Sequence, residues 1–497
     1  MIAALVEVVR VLLFVVVLVG ALPLVAALIQ FLLVGVHGIR NHYDLVADYA
    51  PRTAVVVPAW NEAAVIGATI DRLVSLDYPR DALRVYVVDD ASTDATPDVV
   101  KGRIQRFPGT VVHVRRDKGG EGKAHTLNAG LERILADDWA EAILIIDADV
   151  IFQRDALRRM TRHLADPGVG AVTAYIKEGS SPSGWMTRFI AFEYITAQAA
   201  ARRAQNVLGA MMCLAGGAQL HSRANLEAIG GRIDTATLAE DTVTTFRTQR
   251  RGRAALFEGN AIVWAEEPNE IGALWKQRLR WARGNVQITR RYRKLWFRRR
   301  REPLLGRFGF GVLWFVTLGM PAFMIAGSVA LVVLFFIDFG MSADAFRVLW
   351  ITNAIAFVFI TLFSFAIDPA TARRAWFQGV MFPGLVSLAI MAYTCVPALA
   401  SVDGRHLLVA VGIAPDTTFV HCLILSVYVW LAGSMAVAWL AKGLEAGRLG
   451  ILSPLLIHIA GYGPLLCAIT LSSYIHEARG AEVRWEKTEK TGKMVVA

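Results

Sequence analysis

Ile143-Leu144-Ile145-Ile146-Asp147-Ala148-Asp149-Val150 is the stretch on which the fold turns. An unbroken apolar run ending in acids is what a strand buried on both faces produces, and the carboxyl end of such a strand is where open α/β sheets bind ligands. On an extended backbone residues two apart project to the same side, so Asp147 and Asp149 are expected to point together. Paired carboxylate oxygens suit a hard cation, Mg2+ or Mn2+, that shares its shell with phosphate groups. Acids at a strand end also arise with no ligand to hold, so the pair needs company before it means chemistry.

Working outward, similar apolar runs recur at Thr53 to Val57, Arg84 to Val88, Val111 to Val114 and Val169 to Ala174, with longer polar-faced segments between them. This alternation, between about Tyr43 and Gly306, predicts a largely parallel α/β sheet with helices on both faces. Outside these limits the chain becomes lipid-like. Val11 to Gly38 is long enough for one tilted membrane helix and exceeds the apolar core of a secretory signal, so a retained anchor is expected. Further candidate spans are Gly311 to Ile337, Phe346 to Ile367, Phe377 to Ala400, Thr417 to Ala441 and Ile451 to Ile475, roughly six in all.

Composition agrees. The 497 residues are 55% hydrophobic and only 19% charged, with Lys and Arg exceeding Asp and Glu by 52 to 42. The densest basic run, Arg290 to Arg301, shortly precedes an apolar stretch, the usual mark of the cytoplasmic side, which favours a lipid surface over nucleic acid as the partner of the positive charge. The same rule places Arg373, Arg374, Lys442 and Arg448 inside, but with six spans it leaves the tail after His476 outside, which suggests a re-entrant segment near the end. Trp185 to Gln198 and Leu274 to Ile288 mix aromatic and charged residues as helices lying on a bilayer surface do. Cys213, Cys395, Cys422 and Cys467 lack metal or redox spacing and read as core or lipid-facing thiols. The expected domains are a membrane helix over 1–42, a cytoplasmic α/β domain over 43–306, membrane helices over 307–476 and a polar tail over 477–497.

Several further segments could carry chemistry. Pro58-Ala59-Trp60-Asn61-Glu62 closes the first strand with a stacking surface and a carboxylate, although Asn61 as a helix cap explains it too. Asp89-Asp90-Ala91-Ser92-Thr93-Asp94 closes the second with groups able to accept hydrogen bonds from a nucleobase or ribose, or to cap a helix. Lys118-Gly119-Gly120-Glu121-Gly122-Lys123 is a glycine-rich loop whose backbone could approach a phosphate, with Lys123 as a point charge; it lacks the spacing of a P-loop, and taken alone a flexible surface turn is its plainer reading. Glu240-Asp241 offers a general base or simply acids in a first helical turn. In Gln277-Arg278-Leu279-Arg280-Trp281 the four-residue spacing puts Gln277 and Trp281 on one helical face, with Arg280 able to meet a diphosphate, while a membrane-surface helix accounts for the same residues.

Taken in order, Pro58-Ala59-Trp60-Asn61-Glu62, Asp89-Asp90, Asp147-Ala148-Asp149, Glu240-Asp241 and Gln277-Arg278-Leu279-Arg280-Trp281 resemble the processive membrane-embedded family 2 glycosyltransferases, a group with cellulose, chitin, hyaluronan and poly-N-acetylglucosamine synthases. The resemblance implies a GT-A-type, Rossmann-like cytoplasmic domain joined to an α-helical transmembrane region in the cell membrane. It implies that Trp60, Glu62, Asp90 and Lys123 contact the nucleotide, that Asp147 and Asp149 hold Mg2+ or Mn2+, with Asp147 also on the donor, and that Asp241 is the catalytic base. It further implies that Gln277, Arg280 and Trp281 cover the donor and place the acceptor end at a channel of membrane helices. The implied reaction is one inverting displacement that extends a β-linked polysaccharide, with nucleotide-sugar, growing polymer and bilayer as partners, no nucleic acid, and room for accessory secretion subunits. The run from Leu274 to Gly284 looks most like poly-N-acetylglucosamine synthases, so UDP-N-acetylglucosamine is the first donor to expect; other UDP- or GDP-sugars giving a glucan, hyaluronan-like or mannan polymer, and a non-processive transferase acting on a lipid carrier, are the alternatives. Ala239 departs from the Thr or Gly that many members carry there. A rival from another class, a transporter with an added sugar-binding domain, gains little from such charge-poor spans.

Overall fold

The computed structural model describes residues 2–40, 48–299, 302–395, 417–482 and Met494. Tyr43, Arg300, Arg301, the end of the expected span at 396–400 and most of the tail after 482 lie outside the described residues. The chain forms two compact units, Met1–Ile29 with Val312–Ala478, and Gln30–Gly311 with Arg479–Ala497.

The second unit is built on an eight-stranded sheet of order β3-β2-β1-β4-β7-β6-β8-β5. Its strands are β1 (Thr53–Ala59), β2 (Leu83–Asp89), β3 (Val111–Arg115), β4 (Ala142–Ile146), β5 (Val150–Phe152), β6 (Val169–Glu178), β7 (Ala218–Ser222) and β8 (Ala254–Ala265). Every segment expected as a strand is one. β1 to β4 are rich in Val and Ile, which fit a pleated surface covered on both sides, and they pair in parallel as β3-β2-β1-β4. Parallel neighbours need crossovers, and the helices Ile66–Val74, Thr96–Arg106 and Lys123–Leu135 supply them. The last of these lays Leu127, Leu131 and Ile134 on Val56, Val88, Ile143 and Ile145. Each such side chain, fully buried, contributes about 1.5–3 kcal/mol.

The rest of the sheet corrects the expectation of a largely parallel one. β7 runs antiparallel to both β4 and β6, β5 is antiparallel to β8, and only β6 and β8 are parallel among these. Apolar runs report burial on two faces, not strand direction, so the sequence pattern is silent on this point. β4 ends at Ile146, so Asp147 to Asp149 form the turn into β5 and not the extended backbone expected for them.

The two segments expected on a bilayer surface bury many of their side chains within the protein. Trp185–Glu193 continues through a π-helical turn, Tyr194–Ala200, into Ala201–Leu208, and Phe189, Phe192 and Tyr194 are buried. In the helix Ile271–Arg291, Leu274 and Trp275 are buried while Trp281 stays 39% exposed. Helical spacing of aromatic residues makes a core stripe as readily as an interfacial one.

The first unit is helical. Ile2–Val19 and Leu22–Arg40, interrupted at Gly20-Ala21, form one long apolar run whose part up to Ile29 belongs to this unit. Met320–Ile337, Phe339–Ile367 and Thr417–Glu445 follow. Val17, Leu331, Leu334, Leu349, Trp350 and Tyr428 share one core. Among the described residues four helices are long and apolar enough to cross a membrane, or five with the last pair, fewer than the six expected. That pair, Leu452–Ala460 and Tyr462–Ala478, bends by 95° at Gly461, and Phe308–Leu318 and Leu385–Cys395 are short. Beyond the bend, Arg283 Nη2 donates to the carbonyls of Ala481 (2.7 Å) and Glu482 (3.0 Å), and Met494 bridges Ser180. The start of the tail therefore rests on the α/β unit.

Candidate active site

The carboxyl ends of β1, β2 and β4 open onto one cavity of about 1030 Å3. Trp60, Glu62, Asp90, Lys123, Asp147, Asp149, Asp241, Gln277, Arg280 and Trp281 all line it, so the residues to which the resemblance gave roles are brought to one place across more than two hundred positions.

The ends of β1 and β2 are stapled together. Asn61, with φ 53°, donates its amide to Ser92 Oγ (2.9 Å) and accepts from Thr93 N at Oδ1 (2.8 Å), while Glu62 N donates to Thr96 Oγ1 (2.8 Å). Asn61 thus ties one strand end to the next and does not cap a helix of its own. Asp89 is fully buried and held by Ser92 N (2.8 Å) and Arg115 (2.8 Å), whereas Asp90 faces the cavity. Asp90 accepts from Gly120 N (2.9 Å) and pairs with Arg116, which also pairs with Glu121. The glycine-rich loop is thereby pinned to β2. A Cβ on Gly119 would stand 2.0 Å from the Asp90 carbonyl, so only glycine permits this approach.

That loop ends where the helix Lys123–Leu135 begins. Lys123 Nζ donates to the Gly216 carbonyl (3.1 Å), forms an ion pair with Asp147 and lies 4.0 Å from Glu240. Burial works against its charge, but Asp147, Glu240 and Asp241 together raise its pKa, so it stays cationic. The Asp147–Asp149 turn is fixed from the other side by Thr69 Oγ1, which donates to the Ala148 carbonyl (2.6 Å).

Glu240 and Asp241 open the helix Glu240–Arg250. Thr242 N donates to Asp241 Oδ1 (2.7 Å) and orients the carboxylate. Burial, reinforced by Asp241 alongside and opposed by Lys123, pushes Glu240 up to about 7. The Ile271–Arg291 helix packs close to this start: a Cβ on Gly284 would stand 2.6 Å from Ala239 Cβ, and Gln287 accepts from Leu238 N (3.0 Å). Arg280 is thereby brought into the field of Glu240, Asp147 and Asp241, which counter the lowering of its pKa by burial.

Sequence reasoning missed part of the lining. Gln198, Arg202 and Cys213 come from the π-helical segment, the helix after it and the approach to β7, and Glu193, Tyr194 and Glu267 from beneath the Ile271–Arg291 helix. Cys213, read as a core or lipid-facing thiol, lines the cavity, where burial pushes its pKa well up. A π-bulge in a helix facing a cavity often marks function, but nothing in the spacing of Tyr194–Ala200 announces one.

Asp147 and Asp149 themselves offer carboxylate oxygen alone. Among the described residues no cluster of three or more His, Cys, Asp or Glu forms a ready cage, so a cation here would complete its shell with phosphate and water. That donor set fits Mg2+ or Mn2+.

The profile of the glycosyltransferase-like family 2 matches residues 51–284. A probable glycosyltransferase of Bacillus subtilis, YdaM, is 29% identical over 329 residues, 65% of this chain and 76% of that protein. Beta-monoglucosyldiacylglycerol synthase of Synechocystis is 33% identical over 246 residues, 50% of either chain. Poly-beta-1,6-N-acetyl-D-glucosamine synthase of Staphylococcus aureus is 26% identical over 258 residues, 51% of this chain and 60% of that protein. Among solved structures, a mannosyltransferase from Pyrobaculum calidifontis in complex with GDP-Man and Mn2+ has TM-score 0.53 and 25% identity, covering 74% of this chain and 99% of that one. The GT-A-like sheet, the cavity at its strand ends and these likenesses agree: residues 51–284 are a family 2 glycosyltransferase domain, and the protein is a glycosyltransferase.

Proposed function

We propose that the protein is an inverting, processive glycosyltransferase that adds sugar from a nucleotide-sugar, UDP-N-acetylglucosamine first, to a growing β-linked polysaccharide and passes the product across the membrane. The observation that carries this reading is the meeting of Lys123, Asp147, Asp149, Asp241, Arg280 and Trp281 on one cavity.

Trp60 stacks the base of the donor, and Glu62 and Asp90 flank its nucleoside. Lys123 and Arg280 take the diphosphate, one as a point charge and the other as a planar fork of donors. Asp147 and Asp149 would hold a divalent cation there, which when bound offsets the negative charge of the leaving diphosphate. Asp241 accepts the proton of the acceptor hydroxyl as its oxygen bonds to the anomeric carbon. The bond from that carbon to the diphosphate breaks, and the nucleoside diphosphate departs with the electron pair. Trp281 offers an indole face to the acceptor sugar. The cytoplasm is the expected side for this unit, supported by the basic run from Arg290 and by the return of Ala481 and Glu482 to the same unit.

A second reading, transfer of a single sugar to a lipid, is favoured by the 33% identity to a protein named beta-monoglucosyldiacylglycerol synthase. One experiment addresses both. Purified full-length protein is given UDP- and GDP-sugars with Mg2+ or Mn2+, nucleoside diphosphate release is followed, and products are sized. Polymer supports the processive reading, a single-sugar glycolipid replaces it with the second, and no release from any donor overturns both.

A further inference from the structure

Gln277 heads the Gln277-to-Trp281 pattern, yet both ends of its amide are used inside the protein. Nε2 donates to Glu267 Oε2 (3.2 Å) and Oε1 accepts from Arg278 Nη1 (3.0 Å). The amide orientation follows from its neighbours, since a guanidinium can only donate and a carboxylate can only accept. Arg278 Nη2 continues to Glu193 Oε2 (3.0 Å), and Glu267 Oε1 accepts from the Tyr194 hydroxyl (2.5 Å). Ser180 Oγ accepts from the backbone N–H of Glu267 (2.8 Å). Glu193, Glu267, Gln277 and Arg278 are each less than one-tenth exposed.

This buried chain ends beneath the indole. The Arg278 guanidinium carbon lies 4.0 Å from the centre of the Trp281 ring and 5.6 Å from that of Tyr194. Trp281 is itself 39% exposed and lines the cavity, so packing from its own helix does not enclose it. A planar cation under an aromatic face sets both the height and the tilt of the ring. Arg278 cannot shift without breaking its bonds to Glu193 and Gln277, and Gln277 cannot turn without breaking its bond to Glu267. Buried polar networks of this kind hold one geometry because each partial loss leaves an unsatisfied group.

We propose that Arg278 and Glu267 are positioning residues for the transfer reaction: Arg278 is the platform that holds Trp281 against the acceptor sugar, and Glu267, working through Gln277 and tied to Tyr194, locks that platform. The proposal rests on the reading of Trp281 as the residue that receives the acceptor. It gives Gln277 a role inside the protein in place of a contact to the donor.

The test is a double-mutant cycle on the full-length protein, read as sugar transfer from UDP-N-acetylglucosamine, or from whichever donor the screen selects. Trp281→Ala, Arg278→Gln and their combination are compared, with melting temperature and UDP binding measured on each. Arg278→Gln is expected to cut transfer about tenfold or more with UDP binding within about twofold of the parent, and to add less than about twofold once Trp281 is already Ala. Losses that multiply in the combined variant, or a loss that appears in UDP binding alone, overturn the proposal. Should Arg278→Gln melt early because Glu193 loses its guanidinium partner, Tyr194→Phe removes one hydroxyl from Glu267 with little change of shape. It is expected to lower transfer several-fold, again only while Trp281 is present, and wild-type transfer in Tyr194→Phe counts against the lock. A parent enzyme that turns over no nucleotide-sugar defeats the underlying reading, whereas an active parent with a multiplicative cycle defeats only the positioning roles.

Discussion

Lys123 is ion-paired to Asp147 across the floor of the cavity, joining the end of the glycine-rich loop to the turn after β4. Its ammonium also faces Glu240 at 4.0 Å, so one cation serves an acidic group drawn from two distant parts of the sequence.

Removing that cation should therefore have two effects. Lys123→Gln leaves Asp147, Glu240 and Asp241 to repel one another, and it deletes the charge proposed to meet the donor diphosphate. The expected result is a donor KM raised about tenfold or more together with a melting temperature lowered by a few degrees without ligand. Initial rates against donor concentration and a melting scan in detergent measure both; an unchanged KM rules out a donor contact.

Much of this arrangement was legible in the sequence. The Val- and Ile-rich runs marked β1 to β4 and β6, and the acids after β2 and β4 marked the ligand end of the sheet. Strand direction was not legible, because β7, with Ala218-Gln219-Leu220-His221-Ser222, carries no strong strand signal and β8 is interrupted by Glu258-Gly259-Asn260. The buried partners Glu193 and Glu267 were also hidden: each acquires meaning only from a guanidinium or an amide that the fold brings to it. The 95° bend at Gly461 was hidden too, because length and hydropathy count spans but do not reveal a break.

Asp149 lies in a turn held by Thr69, and its proposed partner is a cation shared with the donor. Asp149→Ala should raise the Mn2+ or Mg2+ concentration for half-maximal turnover by about tenfold or more, while leaving the fold intact, since the substitution lies at a turn on the cavity wall. Metal titration of sugar-nucleotide turnover at fixed donor is the measurement. A superimposable titration curve would remove Asp149 from the metal site.

Glu240, pushed up to about 7 by burial with Asp241 beside it, makes stability depend on pH. Its ordinary value is 4.5, so between 4.5 and about 7 the folded protein holds a proton that the unfolded chain releases. This contribution to stability is therefore fully present below about 4.5 and is lost as pH rises through about 7. Its size is at most about 3 kcal/mol. Glu240→Gln cannot titrate, so without ligand its melting temperature should gain on the parent as pH goes from 5 to 8. A constant difference across that range would show that Glu240 titrates normally.

Asp241→Asn is the sharpest probe of the chemistry, because it keeps shape and changes only the capacity to take a proton. Thr242 N donates to Oδ1 from a rigid helix start, and an asparagine oxygen accepts that hydrogen bond equally well, so the side chain should stay in place. General-base catalysis is worth about 10²- to 10⁴-fold, and transfer is expected to fall by that much. Donor binding should persist, since Lys123, Arg280 and Trp60 are untouched, and UDP titration would report it within about twofold of the parent. The loss of a negative charge beside Glu240 should also draw the Glu240 pKa down toward its ordinary value, so the pH-dependent part of the melting curve shrinks in Asp241→Asn as it does in Glu240→Gln. Transfer at parental rates would assign the proton to another group, and Glu240, the neighbouring carboxylate on the same cavity, would be the one to replace next.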